Sequence, residues 1–339
     1  MARKRVFPMS PTPDLRDLPA LDAYELAFQM LLGRGLSQDD RSAVSARYGG
    51  TTLDPVSVAA EILASPEFHL RHREAFARHL FPTASVVVSK GPMGHELFTD
   101  LRQFHVGFAM SQGHFEPNET AFVRRVVKPG MTVVDIGANI GYFTTMFAAL
   151  VGDAGRVIAF EPVTDNHLKL VAALRRNGQD HITEVFKAAV SDVEGRCVVS
   201  YAPDSINMGG IAIVPEGRVA PHPIRETVPT VRLDDVAGDR RIDFIKIDIE
   251  GAEGLAFAGA RHVLDDHRPT MMVEFNGAQL ARISNMTSRD LFDRLVGHGY
   301  DAFRIGQGGA TQPMSTADID AVDPMDVINL AFFPRQGMR

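Results

Sequence analysis

Lys246, Asp248 and Glu250 alternate through a run that reads as a strand and its exit into Gly251. Alternation in a strand puts Lys246 and Asp248 on one face. A carboxylate beside an ammonium at a strand end can orient a polar substrate and take a proton from a hydroxyl. The same three residues can also be a buried ion pair that only shapes the turn. A second acidic set lies upstream. Asp135 precedes the turn Gly137-Ala138-Asn139-Ile140-Gly141, and Glu161 follows Gly141 by twenty residues. Glycines at a strand-to-helix turn let the main chain come close to a ligand, and an acid at the end of the next strand can accept hydrogen bonds from ribose hydroxyls.

Strands and helices must alternate for these groups to meet. Apolar runs predict strands near 131–136, 156–160, 182–186, 242–248, 269–275, 300–304 and 328–334, with helices between most of them. That order predicts an α/β fold with a mostly parallel sheet, which binds ligands at the C-terminal ends of its strands. The interruption at 201–230 holds five prolines and reads as a long loop of functional rather than accidental length. Residues 1–20 read as a disordered, proline-rich lead. Residues 21–82 read as a helical accessory domain. Ser37 with Asp40, Asp54-Pro55 and Ser65-Pro66-Glu67 open its later helices. Residues 83–128 read as a connecting, cleft-covering segment with a strand at Val86-Val87-Val88 and a helix from Pro117 to Val127. Residues 129–339 form the α/β domain.

The glycine turn separates two classes of nucleotide. A dinucleotide site needs a second glycine where this chain has Asn139, and Asp135 would repel a pyrophosphate. A carboxylate is well placed next to the ammonium of an amino-acid moiety. This disfavours an NAD-dependent oxidoreductase and favours S-adenosylmethionine. The blocks Asp135-Ile136-Gly137-Ala138-Asn139-Ile140-Gly141, Ala159-Phe160-Glu161-Pro162, Ala188-Ala189-Val190-Ser191-Asp192, Val231-Arg232-Leu233-Asp234-Asp235 and Phe244-Ile245-Lys246-Ile247-Asp248-Ile249-Glu250-Gly251-Ala252-Glu253 follow one another in order. Together they resemble the FkbM family of S-adenosylmethionine-dependent methyltransferases, over about 115–334. The resemblance implies a class I methyltransferase (Rossmann-like) seven-stranded sheet whose last strand is antiparallel. It also implies methyl transfer to oxygen, on sugars or on polyketide and other secondary-metabolite hydroxyls.

The expected cofactor-binding residues are Glu116, Asp135, Gly137, Asn139, Gly141, Glu161, Asp192 and Asp248. Asp192 either meets an adenine amino group or sits in a turn. Glu116 lies in Phe115-Glu116-Pro117-Asn118-Glu119, which resembles the family's approach segment, or merely precedes a helix. The expected catalytic residues are Asp248, Glu250 and Lys246. On the acceptor side stand Asn207 and Gly209 in the long loop, His222, and Glu274 with Asn276 at a strand exit. Asp248, Glu274 and Asn276 would make an all-oxygen set for magnesium, or else hydrogen-bond within the cleft. His95, His105, His114 and His222 lie in segments that can cover the cleft, where each is a base or a packing residue. Glu253 opens a helix, where it complements the dipole.

The bulk numbers exclude other classes. A net charge of -7 is wrong for a nonspecific grip on nucleic acid. The single cysteine, Cys197, rules out an intrachain disulfide framework and fits a reducing cytoplasm. No run approaches the length of a transmembrane helix, and the first ten residues lack the apolar core of a signal peptide. The segment from Ala23-Tyr24 through Leu31-Leu32-Gly33-Arg34-Gly35, and Ala59-Ala60-Glu61-Ile62-Leu63-Ala64-Ser65-Pro66-Glu67-Phe68, resembles a bacterial helical domain that accompanies enzymes of surface-polysaccharide assembly. That resemblance tilts the acceptor toward a sugar in a glycan, a glycolipid or their precursor, with a homodimer through the helical domain as one use of the module. A catalytically silent cofactor-binding scaffold is the reading from another class.

Overall fold

The computed structural model describes residues 18–32, 34–63, 85–101, 103, 106–107, 109–111, 113, 115–201, 212–214 and 223–335. Contacts divide the chain into two units, 1–80 and 81–339. The expected lead up to residue 17, Gly33, and the helix opening at Ser65-Pro66-Glu67 lie outside the described residues.

The first unit holds helices Ala20–Leu32, Gln38–Tyr48 and Pro55–Leu63. Ser37 and Asp40 form the reciprocal cap that their spacing predicts. Asp40 N–H donates to Ser37 Oγ at 3.1 Å, and Ser37 N–H donates to Asp40 Oδ2 at 2.8 Å. Ala23, Tyr24, Leu32, Val44, Val58 and Ile62 are buried together as a small core.

In the second unit the main sheet is built from β1 (Thr132–Ile136), β2 (Arg156–Phe160), β3 (Thr183–Phe186), β4 (Phe244–Ile247), β5 (Thr270–Asn276), β6 (Tyr300–Ile305) and β7 (Val327–Pro334). Their order is β3-β2-β1-β4-β5-β7-β6, with β7 antiparallel to both neighbours. This is the class I methyltransferase arrangement. The sheet has eight strands rather than seven, because Thr311–Pro313 pairs with β6 at the outer edge. Three residues, the last of them Pro313, carry too little periodicity to read as a strand. The central strands are apolar on both faces because helices cover both. Val133, Phe147 and Phe244 pack on one side, and Ile136, Ile158, Ile245 and Phe275 on the other.

The interval 201–230 is not a loop throughout. Ile224–Val231 is a strand, paired antiparallel to Gly195–Tyr201, which also pairs with Ala212–Val214. Pro229 hid this strand. It is tolerated because on the far side Ala189–Val190 pairs only with Thr230 and Val231. A separate hairpin, Val86–Lys90 with Glu96–Asp100, is fastened to the sheet domain where Glu96 N–H donates to Asn177 Oδ1 at 2.8 Å. No helix among the described residues is long and apolar enough to cross a membrane.

Candidate active site

The C-terminal ends of β1, β2 and β4 open into one cleft of about 810 Å³, its mouth included. Its walls bring together Glu116, Gly137, Asn139, Glu161, Lys246, Asp248 and Glu250 from four separate places in the chain. The exits of β1 and β4 pass so closely that a Cβ on Gly137 would lie 1.9 Å from the Asp248 carbonyl oxygen, and its φ is +86°. Glycine is required there on both counts. Gly141 does not line the cleft. It starts helix Tyr142–Val151 at φ +96°, where a Cβ would meet Leu170 Cδ1 at 2.7 Å.

Asp135 is fully buried behind the turn. Thr144 Oγ1 donates to its Oδ2 at 2.6 Å, and Oδ1 has no partner. Burial raises its pKa. Glu161 Oε2 accepts the Asn139 N–H at 2.8 Å, and Oε1 accepts the Val163 N–H at 2.9 Å. Each oxygen keeps a lone pair for a further donor. Burial outweighs these bonds and pushes the Glu161 carboxyl up to about 7.

Lys246 is buried, with Nζ 3.1 Å from Asp248 Oδ2, 3.4 Å from the Gly137 carbonyl and 5.4 Å from the Phe143 ring centre. Burial alone would lower its pKa. Asp248, Asp135 and Glu116 outweigh that and hold the ammonium charged. Glu250 is pushed up to about 8 by burial, then by Asp248 and Glu253, with Arg282 opposing. Glu116 reaches about 8 by burial and then by the charge of Asp248. Glu274 on β5 is raised by burial and by Asp248, Glu250, Glu253 and Glu116 in turn, although it does not line the cleft.

Backbone strain gathers here. Five non-glycine residues among those described have φ in the left-handed region, and Glu116, Asn139 and Glu250 are three of them. Such conformations cost free energy and persist where surrounding structure enforces them, often at functional sites.

Other expected positions fall elsewhere. Asp192 is exposed, accepts from Ser191 Oγ at 3.0 Å and does not line the cleft. Asn276 Oδ1 caps helix Gly277–Ile283 by accepting the Gln279 N–H at 3.2 Å, so its oxygen is spent on the fold. Of the expected magnesium set only Asp248 lines the cleft, while Glu274 and Asn276 do not, and among the described residues no group of three or more His, Cys, Asp or Glu side chains is placed to hold a metal ion. Glu253 Oε1 accepts N–H groups of Ile249 at 3.0 Å and Gly251 at 3.4 Å, holding the turn after β4. His95 is buried in the hairpin with neither ring nitrogen bonded, and burial lowers it to about 4. His105, His114, Asn207, Gly209 and His222 lie outside the described residues.

An aromatic wall was not anticipated. Phe115, Tyr142, Phe143 and Phe160 line the cleft with Ala188, Ala189 and Val190. Tyr142 OH donates to the Phe115 carbonyl at 3.1 Å and lies 3.0 Å from Thr120 Oγ1, tying the segment before β1 to the helix after it. The signal was the Tyr142-Phe143 pair directly after the glycine turn, in the first turn of a helix. The arrangement offers apolar walls for a flat base, an acid for a diol, a buried carboxylate for an ammonium, and acids at the open end.

Residues 135–301 match the family profile described as the methyltransferase FkbM domain. Over 164 residues the chain is 32% identical to the 31-O-demethyl-FK506 methyltransferase FkbM of Streptomyces tacrolimicus, covering 39% of this chain and 60% of that protein. It is 30% identical over 162 residues to the AMB antimetabolite synthetase AmbE of Pseudomonas aeruginosa, covering 38% of this chain and 8% of that protein. The crystal structure of the methyltransferase FkbM from Methylobacillus flagellatus aligns over 91% of this chain and 58% of that one, at 17% identity and a TM-score of 0.40. The chain spans less than two thirds of the length of each of these relatives. With the strand order and the cleft at the ends of β1, β2 and β4, the profile match makes residues 135–301 similar to a methyltransferase domain of the FkbM type.

Proposed function

We propose that the protein is an S-adenosylmethionine-dependent O-methyltransferase acting on a sugar hydroxyl of a glycan, a glycolipid or their precursor. The observation that carries the cofactor is the Glu161 carboxylate on the cleft wall with room to accept further donors, with the unpartnered, fully buried Oδ1 of Asp135 behind the glycine turn. An orphaned buried oxygen is costly unless a ligand donates to it. In this reading Asp135, Gly137 and Asn139 hold the amino-acid end. Glu161 takes the ribose diol, and Phe160 with Ala188 to Val190 packs the base.

The cofactor when bound supplies an electrophilic methyl group. The chain's own residues supply position and a proton acceptor. Lys246 fixes Asp248 by the 3.1 Å ion pair, so Asp248 is a rigid wall of the reaction space. Glu250 lines the same space and is not held in an ion pair of that kind. A carboxyl near 8 is matched to removing a hydroxyl proton close to neutral pH.

The sugar acceptor is supported by the acid-rich open end, since carboxylates pair well with donor-rich ligands. The resemblance of the helical domain to one found on surface-polysaccharide enzymes points the same way by association. A second reading, a secondary-metabolite hydroxyl, is favoured by the identity to a relative named for FK506 methylation. Cytoplasmic residence and dimerisation through the helical domain complete the proposal. Sedimentation tests the dimer: a chain beginning at residue 81 that keeps the oligomeric state of the full chain overturns it.

Calorimetric titration with S-adenosylmethionine and with NAD tests the cofactor. Binding of the first alone supports the reading, and binding of NAD alone overturns it. A panel of sugar and polyketide acceptors, followed by release of S-adenosylhomocysteine, tests the substrate class.

A further inference from the structure

The acids that line the cleft among the described residues are Glu116, Glu161, Asp248 and Glu250, and the base is Lys246 alone. Lys246 is engaged with Asp248, and Glu161 is engaged by two backbone N–H groups. Glu116 and Glu250 differ from these. Charge and burial act on their carboxyls, with no hydrogen-bond donor among the influences. Both stand on left-handed backbone, with φ +41° and +54°, on segments that precede β1 and follow β4. Glu116 faces Asp248, Lys246, Glu119 and Asp135, and Glu250 faces Asp248, Glu253 and Arg282. Glu274 faces both from β5. Carboxyls crowded at low dielectric are relieved either by taking up protons or by a ligand cation.

We infer that Glu116 and Glu250 read ligand charge, so that the cleft holds a sulfonium nucleoside more tightly than the thioether of the same shape. The inference rests on the S-adenosylmethionine reading and goes beyond it, because that reading requires only that both ligands fit. Its physical basis is that the two forms differ by one positive charge at the sulfur and by one methyl group. The carboxyls that lack donors have the most to gain from that charge. Their raised pKa values add a consequence. At pH 7 both are largely protonated in the free protein, and an arriving cation draws protons off them. Once the methyl group has gone, the ligand has lost the charge that held it, so the product leaves more readily than the cofactor.

The test is calorimetric titration of the full-length protein at pH 7 with S-adenosylmethionine and with S-adenosylhomocysteine, each in phosphate and in Tris. The sulfonium is expected to bind about tenfold more tightly, the order expected for a unit charge several ångströms from partly screened carboxylates. Its binding enthalpy is expected to shift between the two buffers through proton release, and that of the thioether to stay the same. Glu116→Gln and Glu250→Gln should each bring the two affinities together, with thermal unfolding confirming that the variants fold. Equal affinities in the unaltered protein, or tighter binding of the thioether, overturn the inference whatever the variants do. If a folded sample binds neither ligand, the cofactor reading fails and takes this inference with it.

Discussion

Asp135 and Lys246 are register partners across the parallel strands β1 and β4. Two residues after Lys246, just past the end of β4, stands Asp248, to which the same lysine is ion-paired at 3.1 Å. One ammonium thus acts on a carboxylate buried behind the glycine turn and on one that lines the cleft. Lys246 ties the two strand exits together, and under the proposed function substituting it should affect stability and activity alike.

Lys246→Met should lower stability by about 2–3 kcal/mol. Breaking a buried pair costs about 3–5 kcal/mol, and the Asp248 side chain is 28% exposed, which moderates the loss. Denaturant unfolding measures it. A change under 1 kcal/mol (about the worth of a surface pair) would show that water already screens the site.

Gly137→Ala should cost at least about 2 kcal/mol and abolish cofactor binding, because left-handed backbone and a clash with the Asp248 carbonyl add together. Unfolding curves and titration check the two parts. Retained binding would mean that the exits of β1 and β4 can move apart.

Asp135→Asn and Glu161→Gln should each weaken S-adenosylmethionine binding about 10- to 100-fold, the value of one charge-assisted hydrogen bond. Asp135→Asn should spare the fold, since the amide oxygen can still accept from Thr144. Affinity unchanged in both variants would overturn the assignment of these residues to the cofactor.

Stability of the free protein should respond to pH through the cleft carboxyls. Glu116 and Glu250 are raised to about 8 and Glu161 to about 7. The folded form therefore holds protons that the unfolded chain has shed. The contribution of these groups is most favourable below pH 4.5 and is lost as pH rises through 7 and 8. Glu250→Gln, which has no proton to lose, should gain on the unaltered protein between pH 5 and 8. Melting temperatures of both across that range provide the comparison. A constant difference would show that Glu250 ionises normally in the fold.

The sequence by itself determined the order of the main strands along the chain, the glycine turn, and the Ser37 and Asp40 cap. These are local properties. Buried strands need apolar runs, a turn at positive φ needs glycine, and a capping box needs two residues at fixed spacing. Tertiary structure decided the rest. It added Thr311–Pro313 to the sheet edge and made a strand of Ile224–Val231, because each has a pairing partner that no local pattern announces. It turned Asn276 inward as a helix cap and left Asp192 in solvent. It also brought Glu116 to Asp248 and Glu250 to Glu274. Desolvation and mutual repulsion depend on distance in space, so the unusual protonation of these carboxyls is a property of the fold and not of their order in the chain.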